Sequence, residues 1–420
     1  MPSYINGVDA SLITGLGQIG VTPPTVYPSG GLVVNSGQLR TGTQLINGYT
    51  YPTASFYNRP YSMDSASYGT SDWVKIVANI YSFYLLSSSG ELFAMGRDSS
   101  AYTGTGKQST LAKVTTGSNG WTDIAAGSQY AIGICDGKLF GIGVNTNGQF
   151  GRGNTTSQFT NFTVIDNNTY WTKVVCGSIH SVAVSGSGGS GSLFFAGSNG
   201  SGRTGQNTTS GNTTTWTQGV GVVGSIFTDV SCGDDFTLAI SGGNIYGTGE
   251  NGNNTLGDGG TTDRLTMGLV SSAATYTKVF AFTDFSKAID DNTYHYHTGN
   301  ENYTRGDGSI STITTWTRLN TTGELATGWQ NFYSFQASTQ TYGVIGIKDY
   351  RPWMIGLRGS TIDWMPNTTW TNYTTTSPIS TWFPFVSSST NVSCSGAAFG
   401  IGFGGSVGDP ILMINLTPSS

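Results

Sequence analysis

The sequence is short of charge. Of its 420 residues, 18 are Lys or Arg and 23 are Asp or Glu, 10% in all, where an ordinary soluble domain carries roughly 25%. The basic residues are scattered, with no cluster of four or more. A nucleic-acid binder needs a basic stripe to displace counterions from phosphates, so no nucleic-acid partner is expected. No apolar run reaches the ~20 residues that cross a bilayer, and no membrane insertion is expected. The N-terminus, MPSYINGVDASLITGLG, lacks the basic start and apolar core of a secretory signal, so export by the general secretory route is not expected. Four cysteines (Cys135, Cys176, Cys232 and Cys394) show no CxxC spacing, and there are three histidines. That excludes a dense disulfide scaffold and a clustered zinc site. The cysteines read as small buried apolar residues, and no cofactor is expected.

What is abundant is small and polar. Gly (62), Thr (60), Ser (49) and Asn (28) make up nearly half of the chain. These are weak helix formers, which argues against a long helical protein. Aromatics at 12% argue against disorder. Apolar residues at 36% suffice for a core at this length. The composition is that of an all-β protein with many short strands and small-residue turns.

Two markers recur in register. The first is an aromatic opening a short β-branched run: Trp73, Trp121, Trp171, Phe227, Tyr276, Trp329 and Trp382, at intervals of 48, 50, 56, 49, 53 and 53 residues. The second is an aromatic about 20 residues later, before a Gly: Phe93, Phe140, Phe194, Tyr246, Tyr296, Trp353 and Phe399. Between them lie turn signals, Asp136-Gly137, Ser89-Gly90 and Gly242-Gly243, which suit two-residue hairpins with positive φ. No unit holds a helix-length amphipathic period. A repeat of about 50 residues made of short strands predicts a β-propeller with one four-stranded sheet per unit. The second set of aromatics is expected on equivalent strands of its core.

The stretch Gly127–Gly153, GSQYAIGICDGKLFGIGVNTNGQFGRG, resembles a repeat of the regulator-of-chromosome-condensation family. Gly127, Gly137, Gly143, Asn145, Gly148, Gln149, Gly151 and Gly153 fall on that family's pattern. GSIHSVAV, Gly177–Val184, matches its first half, including His180, and Gly233–Ile240 and Gly249–Gly259 match more loosely. In the first unit Asn79 stands where the first Gly would be, and the sixth and seventh units lack the N-x-x-G-Q-L-G loop. The resemblance spans roughly residues 60–410 and implies a seven-bladed β-propeller. The family's activities it brings to mind are nucleotide exchange on a small GTPase with chromatin binding, and protein–protein binding.

The ends do not follow the repeat. Residues 1–60 read as an extended N-terminal arm or a free tail, and residues 61–420 as the propeller. The arm's Val21, Val26, Leu32, Val33 and Val34 are surplus to seven complete repeats and are expected as assembly contacts. Pro23, Pro24 and Pro28 favour an extended path. Ile411–Leu416 reads as a strand that completes the last unit or pairs with the segment around Gln44–Tyr51.

Catalytic sets are not evident. His295 and His297 share a strand face at i, i+2 but have no third ligand, so they read mainly as inward structural histidines. His180 belongs to the repeat pattern and reads as a structural hydrogen-bonding group. Asp234-Asp235 and Asp290-Asp291 read as turn residues that accept backbone bonds. A surface poor in Lys and Glu and rich in Gly, Ser, Thr and Asn is similar to that of bacteriophage virion proteins, which leave the host cytoplasm by lysis. The leading expectation is therefore a non-enzymatic structural virion protein, a fibre, spike or decoration module. It would be anchored to other virion proteins by the arm, and would display the propeller to a host-surface glycan or protein or assemble with copies of itself. The alternative is a cytosolic protein-binding scaffold or exchange-factor-like propeller. An enzyme or lectin site at a channel mouth ranks third.

Overall fold

The computed structural model describes residues 73–79, 82–96, 108–187, 190–221, 224–300, 305–307, 311–319, 323, 325–338, 341–349 and 351–356. It adds the backbone of strands at 4–5, 8–9, 31–36, 44–46, 49–51, 61–64, 379–384, 392–401 and 410–418. Among these residues the strands form seven antiparallel sheets of four and two two-stranded ribbons, Tyr4–Ile5 with Val8–Asp9 and Gln44–Ile46 with Tyr49–Tyr51. Sheet one holds Trp73–Ala78, Ser82–Ser87, Leu92–Gly96 and Gln108–Lys113; sheet two Trp121–Ala126, Tyr130–Cys135, Lys138–Gly143 and Gln158–Asp166. Sheet three holds Trp171–Cys176, His180–Ser187, Ser190–Ser198 and Asn212–Gln218; sheet four Asp229–Cys232, Phe236–Ser241, Asn244–Gly249 and Arg264–Ser271. Sheet five holds Tyr276–Ala281, Phe285–Asp290, His295–Gly299 and Ile313–Arg318; sheet six Trp329–Ser338, Thr341–Lys348, Arg351–Gly356 and Ile379–Pro384. Sheet seven is assembled from both ends of the chain, in the order Val392–Ile401, Pro410–Pro418, Gly31–Ser36, Tyr61–Asp64.

Local chemistry explains the repeat. Asp136 and Gly137 adopt φ of 51° and 75° and close a two-residue hairpin between Cys135 and Lys138, the turn whose twist suits paired strands. The first strand carries a bulge at the same place in most sheets, as between Trp121 and Asp123, Trp171 and Lys173, and Tyr276 and Lys278. The extra residue bends the strand and raises its twist.

The two aromatic markers of the first five units meet ring to ring. Ring centroids lie 5.3 Å apart for Trp73 and Phe93, 5.3 Å for Trp121 and Phe140, 5.4 Å for Trp171 and Phe194, 5.9 Å for Phe227 and Tyr246, and 5.1 Å for Tyr276 and Tyr296. Most are edge-to-face, the favoured geometry of aromatic pairs. Trp329 and Trp353 share one buried cluster in sheet six.

The cores lie between sheets rather than within one. Tyr84 and Leu86 of sheet one pack with Trp121, Ile124 and Phe140 of sheet two. Tyr130 and Ile132 of sheet two pack with Trp171 and Val174 of sheet three, and the same holds for sheets three and four, four and five, and five and six. First strands of successive sheets touch from sheet one to sheet seven, and the first strand of sheet seven touches that of sheet one.

Trp382 lies in the fourth strand of sheet six and Phe399 in the first strand of sheet seven, so Phe399 is not equivalent to the other six aromatics, which lie on third strands. In sheet seven the bulge falls between Cys394 and Gly396, which puts Cys394 where Trp121 stands in sheet two. The unit has no opening aromatic, and spacing alone settled on a Trp one strand too early. The boundary at residue 60 also fails for one strand. Gly31–Ser36, with Leu32, Val33 and Val34, pairs with Pro410–Pro418 and Tyr61–Asp64, so its backbone completes sheet seven instead of leaving as an arm. Ile411–Leu416 is a strand that completes the last sheet, as the first of its two readings has it, between Gly31–Ser36 and Val392–Ile401; the other reading falls, because Gln44–Ile46 pairs with Tyr49–Tyr51. Val21 and Val26 lie outside the described residues.

Candidate functional site

In sheets two to five, the turn from first to second strand and the loop from third to fourth strand emerge at the same end. A backbone bond ties each pair: Val144 N–H donates to Gln129 O, Ser198 to Ile179, Glu250 to Asp235 and Asn300 to Asp284. The long loops of sheets two, three and four are each held from inside by one asparagine. Asn145 Nδ2 donates to Asn154 O at 2.9 Å while its Oδ1 accepts from Phe150 N at 2.8 Å. Asn199 and Asn251 repeat the scheme, accepting from Thr204 N at 3.1 Å and Leu256 N at 3.0 Å. The buried amide replaces the bonds that an irregular backbone lacks. Two of these loops also reach the outer strand of the next sheet, through bridges between Arg152 and Thr215 and between Asp258 and Thr315.

The short turns pack in series. A Cβ on Gly177 would sit 2.2 Å from the His180 ring and 2.5 Å from Gly233 O, so only glycine fits between the imidazole and the neighbouring sheet. His180 is fully buried, and its Nε2 lies 3.1 Å from Thr237 Oγ1 of sheet four. Burial, and then Arg203, lower its pKa to about 3. Its reading as a structural hydrogen-bonding group holds. Tyr130 takes the same place in sheet two and donates to His180 O at 2.5 Å.

Carboxylates collect at this end of sheets four and five. Asp235 pairs with Arg203, a largely buried guanidinium delivered by the loop of sheet three. Asp284 accepts from Asn253 Nδ2 at 3.1 Å, and Glu250 accepts from Gly252 N at 2.7 Å. Burial raises the pKa of Asp234, Glu250 and Asp284, and like charge adds to it for Asp234 through Asp235 and Asp284. The sequence reading of Asp234-Asp235 as simple turn acceptors missed this convergence, because it depends on three loops separated by tens of residues. The reading holds for Asp290, whose Oδ1 accepts from Asn292 N and Tyr294 N at 3.0 and 2.9 Å.

A carboxylate raised in the fold is a charge that the fold disfavours. Asp234→Asn is therefore expected to raise the melting temperature by a few degrees at pH 8, with a gain that shrinks as the pH falls and the native carboxyl takes up its proton ahead of the unfolded chain. Thermal melts of both proteins at pH 8 and at lower pH check this.

His295 and His297 are buried in sheet five. His297 stacks on Phe285 with centroids 5.5 Å apart, and His295 meets Trp329 of sheet six at 4.9 Å. Lys287, directly across from His297 and fully buried, places Nζ 3.4 Å from His297 Nδ1 and 3.2 Å from Arg305 O. Lys287 escaped the sequence reading because its place holds Ile132, Val182 and Leu238 in sheets two to four, where the pattern alone reads as core. Among the described residues, no group of three or more His, Cys, Asp or Glu side chains is placed to hold a metal ion, and no helix is long and apolar enough to cross a membrane.

The regulator of chromosome condensation (RCC1) repeat matches residues 136–184. No curated protein matches the sequence. Among solved structures, human WBSCR16 is similar with a TM-score of 0.69 at 13% identity, over 93% of this chain and 99% of that one. Prp20p from Saccharomyces cerevisiae, described with its binding to Gsp1p and histones, is similar with a TM-score of 0.55 at 15% identity, over 87% of this chain and 74% of that one. Yeast RCC1 (Prp20) bound by Kap60 is similar with a TM-score of 0.52 at 13% identity, over 88% and 72%. The chain is all-β, carries an RCC1 repeat, and has an RCC1-like propeller fold.

Proposed function

We propose that this chain is a non-enzymatic, protein-binding propeller of seven blades that serves as a structural component of a virus particle. The first-strand contacts that run from sheet one round to sheet seven and back support the blade count. The observation that carries the binding reading is the shared loop end of sheets two to five, where the loops of sheets two to four are locked by buried asparagines and carboxylates accumulate on sheets four and five. Rigid loops on a scaffold present side chains at low ordering cost. An acceptor-rich face suits a partner surface bearing Arg or Lys.

The virion setting rests on composition: very low charge with Gly, Ser, Thr and Asn in nearly half of all positions. In that setting the partners are other virion proteins, a host-surface glycan or protein, or further copies of the chain, with assembly in the host cytoplasm. A cytosolic scaffold or exchange-factor-like role is the second reading, favoured by the likeness to Prp20p. Mass spectrometry of purified particles separates them. The chain is expected at a fixed stoichiometry to the capsid or tail proteins after gradient purification. Its recovery only in the soluble host fraction would overturn the virion role and leave the scaffold.

A further inference from the structure

The third residue of the repeat alternates around the sheets: Lys75, Asp123, Lys173, Asp229, Lys278, Asn331. In five of these six sheets it follows the first-strand bulge, and its side chain reaches an adjacent sheet. Lys75 Nζ lies 2.5 Å from Asp123 Oδ1, and Asp123 Oδ2 accepts from Val174 N at 2.8 Å. Lys173 pairs with Asp229, whose Oδ2 accepts from Val279 N at 2.9 Å. Each aspartate thus takes the lysine of the sheet before and an amide of the sheet after. The third junction breaks the series. Lys278 Nζ donates to Gln330 O at 2.7 Å and Asn331 Oδ1 at 3.0 Å, both neutral acceptors. Both oxygens of Asp229 are already engaged.

A groove of about 400 Å³ opens at this junction, between sheets five and six, and Lys278, Thr277, Thr293, Gln330 and Asn331 help to line it. Its two acids are held in their own turn. Asp290 accepts from Asn292 N, Tyr294 N and Tyr296 Oη, and Asp291 accepts from Asn292 Nδ2 at 2.7 Å. An ammonium group has three donors, and a charged acceptor makes the stronger bond.

We propose that this groove is a carboxylate-binding subsite, in which a ligand supplies to Lys278 the carboxylate that Asp123 and Asp229 supply at the two equivalent junctions. The ligand class is an acidic sugar or an acidic peptide side chain. The assignment does not depend on the virion role.

The test titrates the full chain with sodium glucuronate and with N-acetylglutamate α-amide, against the neutral glucose and N-acetylglutamine amide, read by saturation-transfer NMR. At least one acid is expected to bind, and its neutral counterpart to bind about tenfold more weakly or not at all. Asn331→Asp restores the internal carboxylate. It is expected to keep or raise the melting temperature and to weaken binding by about tenfold or more, and Lys278→Met should do the same to binding. Glucuronate alone would assign a saccharide, the glutamate amide alone a peptide, and both the carboxylate itself. Binding of neither acid, equal binding of the neutral compounds, or undiminished binding by Asn331→Asp would overturn the proposal.

Discussion

Deleting residues 1–64 should destroy the cooperative fold, while deleting residues 1–30 should leave it intact. Gly31–Ser36 forms a six-pair ladder with Pro410–Pro418 and a four-pair ladder with Tyr61–Asp64. The longer deletion leaves sheet seven with two strands and opens the edge of Pro410–Pro418. Two strands alone are marginal in water, and an open edge recruits other chains. The damage spreads because the first strand of sheet seven contacts the first strands of both sheet six and sheet one, so the closure between the two ends of the repeat series loses its support. We expect the chain lacking 1–64 to aggregate or to melt about 10 °C or more below the full chain. A peptide of residues 31–64 added in trans should restore solubility. Matched melting curves for the full chain and the longer deletion would show that the N-terminal strands contribute nothing to closure.

This closure also marks the limit of what the sequence discloses. Within a unit every cue is local. The Asp136-Gly137 hairpin, the aromatic pair Trp121 and Phe140, and the loop held by Asn145 all lie within about 35 residues, and the repeat multiplies the signal. Sheet seven breaks that locality. Its third and fourth strands lie more than 340 residues from its second, and pairing across that distance leaves no periodic trace in either segment. Its first strand offers Cys394 where a Trp would flag it, so the count moved to Trp382. The candidate site failed to show for a related reason. Asp234, Glu250 and Asp284 each read as ordinary loop acids, and only the stacking of sheets four and five brings them within range of one another, with Arg203 of sheet three pairing Asp235. Lys287 was hidden by the rule that made the core legible, since alternation predicts which face a residue occupies and says nothing of a cation placed among apolar neighbours. The Lys–Asp alternation on the first strands was readable in principle. It appears once the units are aligned on the first aromatic and the second residue after it is compared across them.

Acid should unfold this protein steeply from pH 6.5 downward. His180, His295 and His297 are all buried, and burial lowers the pKa of each, with Lys287 adding to the effect at His295 and His297 and Arg203 at His180. A histidine neutral in the fold and free in the unfolded chain has the same charge in both states above about pH 6.5. Below that, the unfolded chain takes up a proton that the fold refuses, so stability falls with falling pH. Each such group lowers stability by at most about 1.4 kcal/mol per pH unit, a limit approached about one unit below pH 6.5 where the unfolded imidazole is fully protonated, and three together by at most about 4 kcal/mol per unit. The loss continues until the folded pKa is reached, about 3 for His180. Asp234, Glu250 and Asp284 act in the opposite sense. Their raised pKa values let the fold bind protons before the unfolded chain does, which offsets part of the loss just above the ordinary carboxylate range. The histidine effect should therefore be cleanest between pH 6.5 and 5. Urea midpoints across that window measure the slope. His295→Leu places there the residue that Leu139 supplies in sheet two, and His180→Phe the ring that Phe236 supplies in sheet four. Each is expected to remove about a third of the slope and the pair about two thirds. A slope unchanged in the double variant would mean that these imidazoles gain protons in the folded protein as readily as in the unfolded one, and that the buried positions of His180 and His295 are not those described.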